Sequence, residues 1–184
     1  MKTTLTILLL AISLFLYAQD NDKPCGGVSR WSVKTLTDNA ADSINRTSEW
    51  TTIKKLSALK PEKKITRTTP RLKAEKQVYT VRCQIKDFFK EADGDLHLVL
   101  FDAQTKQTMI AEIPDPRCPD VQRSKYYDMI RKSFEDFTAQ KNGEYSGNVF
   151  VMGTGFFDLV HGTKQRGVSL NGFEIHPVLR IYTR

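Results

Sequence analysis

The chain carries three histidines, and each stands close to a carboxylate. His97 follows Asp93 and Asp95, His161 follows Asp158, and His176 follows Glu174. Imidazole beside carboxylate is the donor set that Zn²⁺ or Mn²⁺ accepts, whereas an all-carboxylate subset suits Ca²⁺ or Mg²⁺. The same pairs can move protons, with His97 and His176 as candidate catalytic acid–base groups. The candidate metal ligands are therefore Asp93, Asp95, Glu112, Asp115, Asp158 and His161, and a divalent metal ion is the one cofactor implied. There is no HExxH, HxH or CxxC motif to sharpen the choice. Asp93-Gly94-Asp95 also reads as an ordinary hairpin turn, and a histidine beside an acid is often only a satisfied hydrogen bond.

Those residues need strands to position them, and the pattern from Gln77 onward has period two. Tyr79, Val81, Cys83 and Ile85 share one face of a first half-buried strand. A second strand, residues 96–101, puts Leu96, Leu98 and Leu100 on the core face and His97 on the other. A third runs from Thr108 to Ile113 and stops at the proline-rich stretch 114–119. The stripe Tyr127, Ile130, Phe134 and Phe137 predicts an amphipathic helix, started by Asp120 and ended at Asn142-Gly143. A fourth strand covers 148–157 and a fifth 173–182. In the fifth, Pro177 cannot donate to a ladder and belongs at an edge or bulge.

The order β-β-β-α-β-β in about a hundred residues predicts a mainly β fold, an OB-fold-like five-stranded barrel. An α+β sandwich of the same elements is the alternative. In an OB-fold the face of strands 2 and 3, with the loops after strands 1 and 4, binds ligand. Asp93, Asp95, His97, Asp158, His161 and Asn171 all map there, and Glu174 and His176 alternate away from the core. Alternation predicts that both His97 and His176 face away from the core, so that truncating either should barely affect folding.

Charge is unevenly spread. Lys+Arg 28 against Asp+Glu 21 gives +7, and 40% of residues are hydrophobic. This composition excludes collagen-like, coiled-coil and fully disordered chains. Residues 54–76 hold nine basic residues against Glu62 and Glu75. With Pro61 and Pro70 they read as extended, poorly packed chain. Lys54, Lys55, Lys63, Lys64 and Arg67, with Asn171 and Glu174, are the candidate contacts to an anionic polymer, a nucleic acid or polysaccharide. A solvated linker is the competing reading, because few aromatics interleave with the charges. Ile53, Leu56 and Leu59, near Trp50, suggest one short amphipathic helix just before it.

At the N-terminus, Lys2 precedes the apolar run Leu5 to Leu16, and Ala18 offers a cleavage position. Residues 1–18 are expected to be a secretory signal peptide, 19–76 a basic N-terminal arm and 77–184 the barrel domain. The apolar run is shorter than a spanning helix needs, so no transmembrane segment is expected and the location is secreted or periplasmic. Cys25, Cys83 and Cys118 allow one disulfide and one free thiol. Cys83 and Cys118, both in the barrel half, are taken as the pair. No Gly-x-Ser-x-Gly elbow occurs, and Gly153-Thr154-Gly155 precedes Phe156-Phe157 rather than a helix, so it is no dinucleotide fingerprint.

Several stretches resemble a family of small secreted bacterial proteins of unassigned function. They are residues 30–35 (RWSVKT), 95–100 (DLHLVL), 109–118 (MIAEIPDPRC), 153–158 (GTGFFD) and the ending His161-Gly162 … Asn171-Gly172-Phe173-Glu174-Ile175-His176-Pro177-Val178-Leu179. The resemblance implies export and a shared fold, and no reaction. The spacing between His161-Gly162 and Gly167-Val168 departs from that family by a short insertion. A looser similarity is to the staphylococcal-nuclease-like OB-folds. Asp93-Gly94-Asp95 matches that group's first motif and Asp115-Pro116 part of its second. The similarity carries Asp95 and Asp115 over as metal ligands, but neither the water-activating Glu nor the phosphate-clamping Arg. Three functions stay open: an anionic-ligand binding module, a metal-dependent phosphodiesterase-like hydrolase, and a structural envelope protein.

Overall fold

The structure, a computed structural model, describes residues 25–27, 29–140, 145, 147–159, 169 and 171–183. The proposed signal peptide, His161 and the Asn142-Gly143 helix stop lie outside the described residues.

Among the described residues six strands form one sheet: β1 (Asn45–Thr51), β2 (Gln77–Lys90), β3 (Leu96–Phe101), β4 (Thr108–Ile113), β5 (Val149–Phe157) and β6 (Phe173–Tyr182). Their order is β1-β2-β3-β4-β6-β5, and a further pairing of β2 with β5 closes a five-stranded barrel. The long strand β2 makes closure possible. Its first half pairs with β5, its second half with β3, and the register shifts between Ile85 and Asp87. β4 and β6 run parallel, with Ala111 opposite Ile175, while the other barrel pairs are antiparallel. With a helix between β4 and β5, this is the OB-like barrel the alternation implied.

Alternation explains the core. Leu98, Leu100, Met109, Ala111, Ile113, Val151 and Ile175 point inward and are buried, and Ile130 and Phe137 of the helix pack on them. Pro177 sits where β6 bulges against β5, between the register pairs Gly153–Val178 and Gly155–Ile175. Only glycine fits at 153, since a Cβ there would stand 2.3 Å from the Pro177 carbonyl.

Three expectations need correction. The predicted helix is broken into α3 (Pro119–Gln122) and α4 (Tyr127–Ala139), after the short α1 (Trp31–Lys34) and α2 (Ile53–Ser57). Asp120 lies inside α3 rather than capping it. Its carboxylate instead accepts from Trp31 Nε1 at 2.9 Å and from Arg123.

The arm is not a loose linker. β1 adds to the barrel sheet by pairing parallel to β2, and α2 buries Ile53 and Leu56. Arg71 and Glu75 are buried, because each charge has a partner in the fold: Arg71 pairs with Asp38 at 2.6 Å and Glu75 with Arg30 at 2.5 Å. Lys54, Lys55, Lys63, Lys64 and Arg67 do remain exposed.

The disulfide joins Cys25 to Cys118, not Cys83 to Cys118. Cys83 lies on the inward face of β2, inside the barrel, where no loop cysteine can reach it. Burial, with Asp102 adding to it, pushes its thiol up to about 12. The thiolate is the reactive form. The native protein should therefore react with iodoacetamide at pH 8 roughly a thousandfold more slowly than a free thiol. Unfolding in denaturant should restore one reactive thiol per chain, and fast native labelling would contradict the burial.

Candidate functional site

Three neighbouring strands place four polar side chains on the outer face of the barrel. β3 contributes His97 and β4 contributes Glu112 directly opposite it in register. β6 contributes Glu174 and His176, which flank the inward Ile175. Asp95 stands at the start of β3, after the β2–β3 turn that carries Glu91 and Asp93. This is the strand-2/strand-3 face of an OB-fold.

The expectation that these groups face away from the core is correct, but they do not face solvent. Gly27, Ser29 and Lys34 lie against the same face, with the Cys25–Cys118 disulfide on one side of them and the Arg30–Glu75 pair among them. His176 and Asp95 are 0% exposed, and His97, Glu112 and Glu174 are buried. What remains is a cavity of about 170 Å³ lined by, among others, Ser29, Lys34, Glu91, His97, Glu112 and Glu174. Asp93 and Asp158 also line it.

Glu112 is the hub. Its Oε1 lies 3.1 Å from His97 Nδ1, which is also 3.0 Å from Glu91 Oε1. Its Oε2 lies 3.3 Å from Lys34 Nζ and 2.6 Å from His176 Nδ1. On the other side of the His176 ring, Nε2 lies 3.6 Å from Asp95 Oδ2. Neither His176 nitrogen makes a well-directed hydrogen bond, although Nδ1 lies within 2.6 Å of Glu112 Oε2. Asp95 Oδ2, His97 Nε2 and Glu174 Oε2 are likewise buried without a hydrogen-bond partner. Phe89 stacks on the His97 ring at 4.4 Å, and Phe156 packs against His176.

The neighbours divide the protonation states. Burial works against ionising Glu112, but Lys34, His176 and His97 outweigh it and hold its carboxyl well below the usual range. Burial likewise opposes the Lys34 ammonium, and Glu112, Glu174, Asp158 and Asp95 more than compensate, raising its pKa. Burial also opposes protonation of His97, but its hydrogen bonds to Glu112 and Glu91 and their charges outweigh this and raise it to about 9. His176 goes the other way, lowered by burial against the pull of Glu112. Burial, reinforced by neighbouring carboxylates, lifts Asp95 and Glu174 well above the usual carboxylate range.

The sequence-derived ligands separate accordingly. Asp95, Glu112 and His176 come together, with one ligand atom from each within 4.8 Å of the others, and Glu91, His97 and Glu112 form a second such group. Asp115 joins neither group. Its carboxylate is gripped by its neighbour Arg117, at 2.5 Å from Nη2. Burial alone would raise its pKa, but the side chain, amide and charge of Arg117 together hold it below the ordinary value. The nuclease-like pairing of Asp95 with Asp115 is thereby corrected: the two meet only where the Asp115 amide donates to Asp95 Oδ1 at 3.3 Å. Asn171 is a clip, not a ligand contact. Its Nδ2 donates to the Leu56 and Leu59 carbonyls, and its Oδ1 accepts from Phe173 N. None of Lys54, Lys55, Lys63, Lys64 or Arg67 lines the cavity. Lys34, Ser29 and Glu91 are the residues that sequence reasoning missed.

Fold and site together define an OB-like barrel whose usual ligand face carries an acid–imidazole cluster roofed by its own N-terminal segment. Compared with known families and curated proteins, the sequence matches no family model and no curated relative.

Proposed function

We propose that this is an exported OB-like protein that binds a divalent metal ion, zinc or manganese, between Asp95 and His176, with Glu112 orienting the imidazole. One observation carries the reading: a wholly buried imidazole with both nitrogens lacking a directed hydrogen bond, beside a buried carboxylate oxygen that accepts none. Buried polar atoms are normally satisfied, so such a pair implies a further partner. The 3.6 Å between His176 Nε2 and Asp95 Oδ2 is close to the roughly 3.3 Å edge of a tetrahedron with metal–ligand bonds of about 2.0–2.1 Å. Glu112 beside Nδ1 stands where a carboxylate commonly fixes the tautomer of a metal-bound imidazole. The disulfide is compatible with export to an oxidising compartment, and no helix among the described residues is long and apolar enough to cross a membrane.

A polymer-binding role for this same face is less well supported, because the N-terminal segment covers it and leaves a cavity of only about 170 Å³. A second reading, a metal-assisted hydrolase, is favoured by His97. Its protonated ring lines the cavity beside Glu112 and is placed to give a proton to a leaving group.

The test is native mass spectrometry after dialysis against mixed Ca²⁺, Mg²⁺, Mn²⁺ and Zn²⁺. The expected result is one zinc or manganese per chain, removed by chelator and absent from an Asp95→Asn/His176→Gln double variant. Metal-free protein under all conditions, or a bound ion that survives the double substitution, would sink the reading.

A further inference from the structure

A second surface lies around the barrel from the cluster, on the outer faces of β1, β2, β5 and β6. Strand register defines two adjacent rows across it. One row runs Trp50–Thr80–Met152–Arg180, and the next runs Arg82–Phe150–Tyr182. Trp50 and Phe150 meet edge to face at 5.3 Å, and Phe150 and Tyr182 stack at 5.2 Å. Three rings thus form a continuous aromatic stripe over three strands. Trp50 is 53% exposed, unusual for so large an apolar side chain. Arg82 and Arg180 are exposed, and the Arg180 guanidinium lies 4.9 Å from the Tyr182 ring centre. Neither row contains a carboxylate. Lys54 and Lys55, also exposed, follow within five residues of Trp50.

We propose that this stripe binds single-stranded nucleic acid, with bases stacking on Trp50 and Tyr182 and phosphates meeting Arg82 and Arg180. Sequence-tolerant single-strand binding combines these two features, aromatic rings that accept any base and cations along the backbone. Charge complementarity decides the occupant. A neutral sugar would gain from the rings but nothing from the charge of the flanking arginines, and would lack carboxylate acceptors for its hydroxyls here. The surface is distinct from the strand-2/strand-3 face and from the metal cluster. The sequence hid it because Trp50 lies far from Phe150 and Tyr182 in the chain, and β1 itself was not foreseen.

The experiment titrates the full chain with short oligothymidine at low salt, following anisotropy of a labelled strand and tryptophan fluorescence. A Trp31→Phe variant assigns the fluorescence change to Trp50. Binding with quenching is expected, unchanged by chelator. Trp50→Ala should weaken it by about 5- to 150-fold, the range for losing one stacked base. Its circular dichroism should stay native, because Trp50 is half exposed. An Arg82→Ala/Arg180→Ala variant should flatten the log–log salt dependence by about 1.4, at roughly 0.7 for each phosphate no longer neutralised. Three results would overturn the proposal: no anisotropy change at low salt, binding indifferent to Trp50→Ala, or quenching by a neutral oligosaccharide with none by oligothymidine. Abolition of binding by chelator would also overturn it, placing the strand at the metal cluster instead.

Discussion

Glu112→Gln should lower affinity for zinc or manganese by about 10- to 100-fold, as removal of an orienting carboxylate does elsewhere. It should also destabilise the protein by about 3–5 kcal/mol, as removal of one partner of a buried ion pair does. Both effects arise because one carboxylate serves three neighbours. Its Oε1 meets His97, and its Oε2 meets Lys34 and His176. Lys34 reaches the cluster from the N-terminal segment and His97 from β3, so a neutral amide would leave two buried cationic groups short of their main counter-charge. Lys34 would keep Glu174, Asp158 and Asp95 as weaker influences. A Lys34→Met/Glu112→Gln double variant should recover part of the lost stability, since coupled neighbours are not additive. Urea denaturation measures the stability and a competitive chelator titration the affinity. A Glu112→Gln protein as stable as wild type would show that the cluster is not charge-coupled. Unchanged metal affinity would remove Glu112 from the site.

The barrel was legible because its strands obey alternation almost residue by residue. Residues 96–101 were delimited by the turns at 93–95 and 102–106 and faced by their leucines, and Pro177 marked an edge or bulge. The same alternation put His97 and His176 on the side away from the core, while Glu112 entered the candidate site only through the end of the third strand. What it could not show was a second covering layer. Period two separates core from non-core, but both faces of these strands are buried, one in the barrel and one against residues such as Ser29 and Lys34. The histidines therefore looked surface-exposed, and Lys34 was invisible as a member of their cluster. Nothing local in Arg30-Trp31-Ser32-Val33-Lys34 says that it crosses a barrel face. The charge count over residues 54–76 misled for a related reason. Net charge does not reveal which residues find partners elsewhere in the chain, and Arg71 and Glu75 find them in Asp38 and Arg30. Cys83 was paired with Cys118 because both lie in the barrel half, although its inward position on β2, already read from alternation, excluded any bond through the barrel wall.

Glu75→Gln should cost about 3–5 kcal/mol and lower the melting temperature on the order of 10 °C, with no effect on metal affinity measured on the folded protein. Glu75 joins three parts of the chain at one buried carboxylate. Its oxygens receive Arg30 Nη1 at 2.7 Å and Nη2 at 2.5 Å, the Leu72 amide at 2.6 Å, and the Phe157 amide at 2.8 Å. Arg30 spends its remaining donors on the carbonyls of Thr69, Pro70 and Phe157. The pair therefore ties the N-terminal segment to the turn before β2 and to the end of β5, with both side chains fully buried. An amide keeps the shape but strands the guanidinium and must present an N–H where an acceptor is needed. Glu75→Asp should do nearly as much harm, because the shortened side chain cannot hold both amides and the fork together. The coupling is measurable as a double-mutant cycle with Arg30→Met, expected to exceed the 0.5 kcal/mol or so that separates interacting from independent sites. A near-additive cycle would mean that the backbone carbonyls, rather than Glu75, hold Arg30 in place. The N-terminal segment would then owe its position over the cluster to the Cys25–Cys118 disulfide and to those carbonyl hydrogen bonds alone.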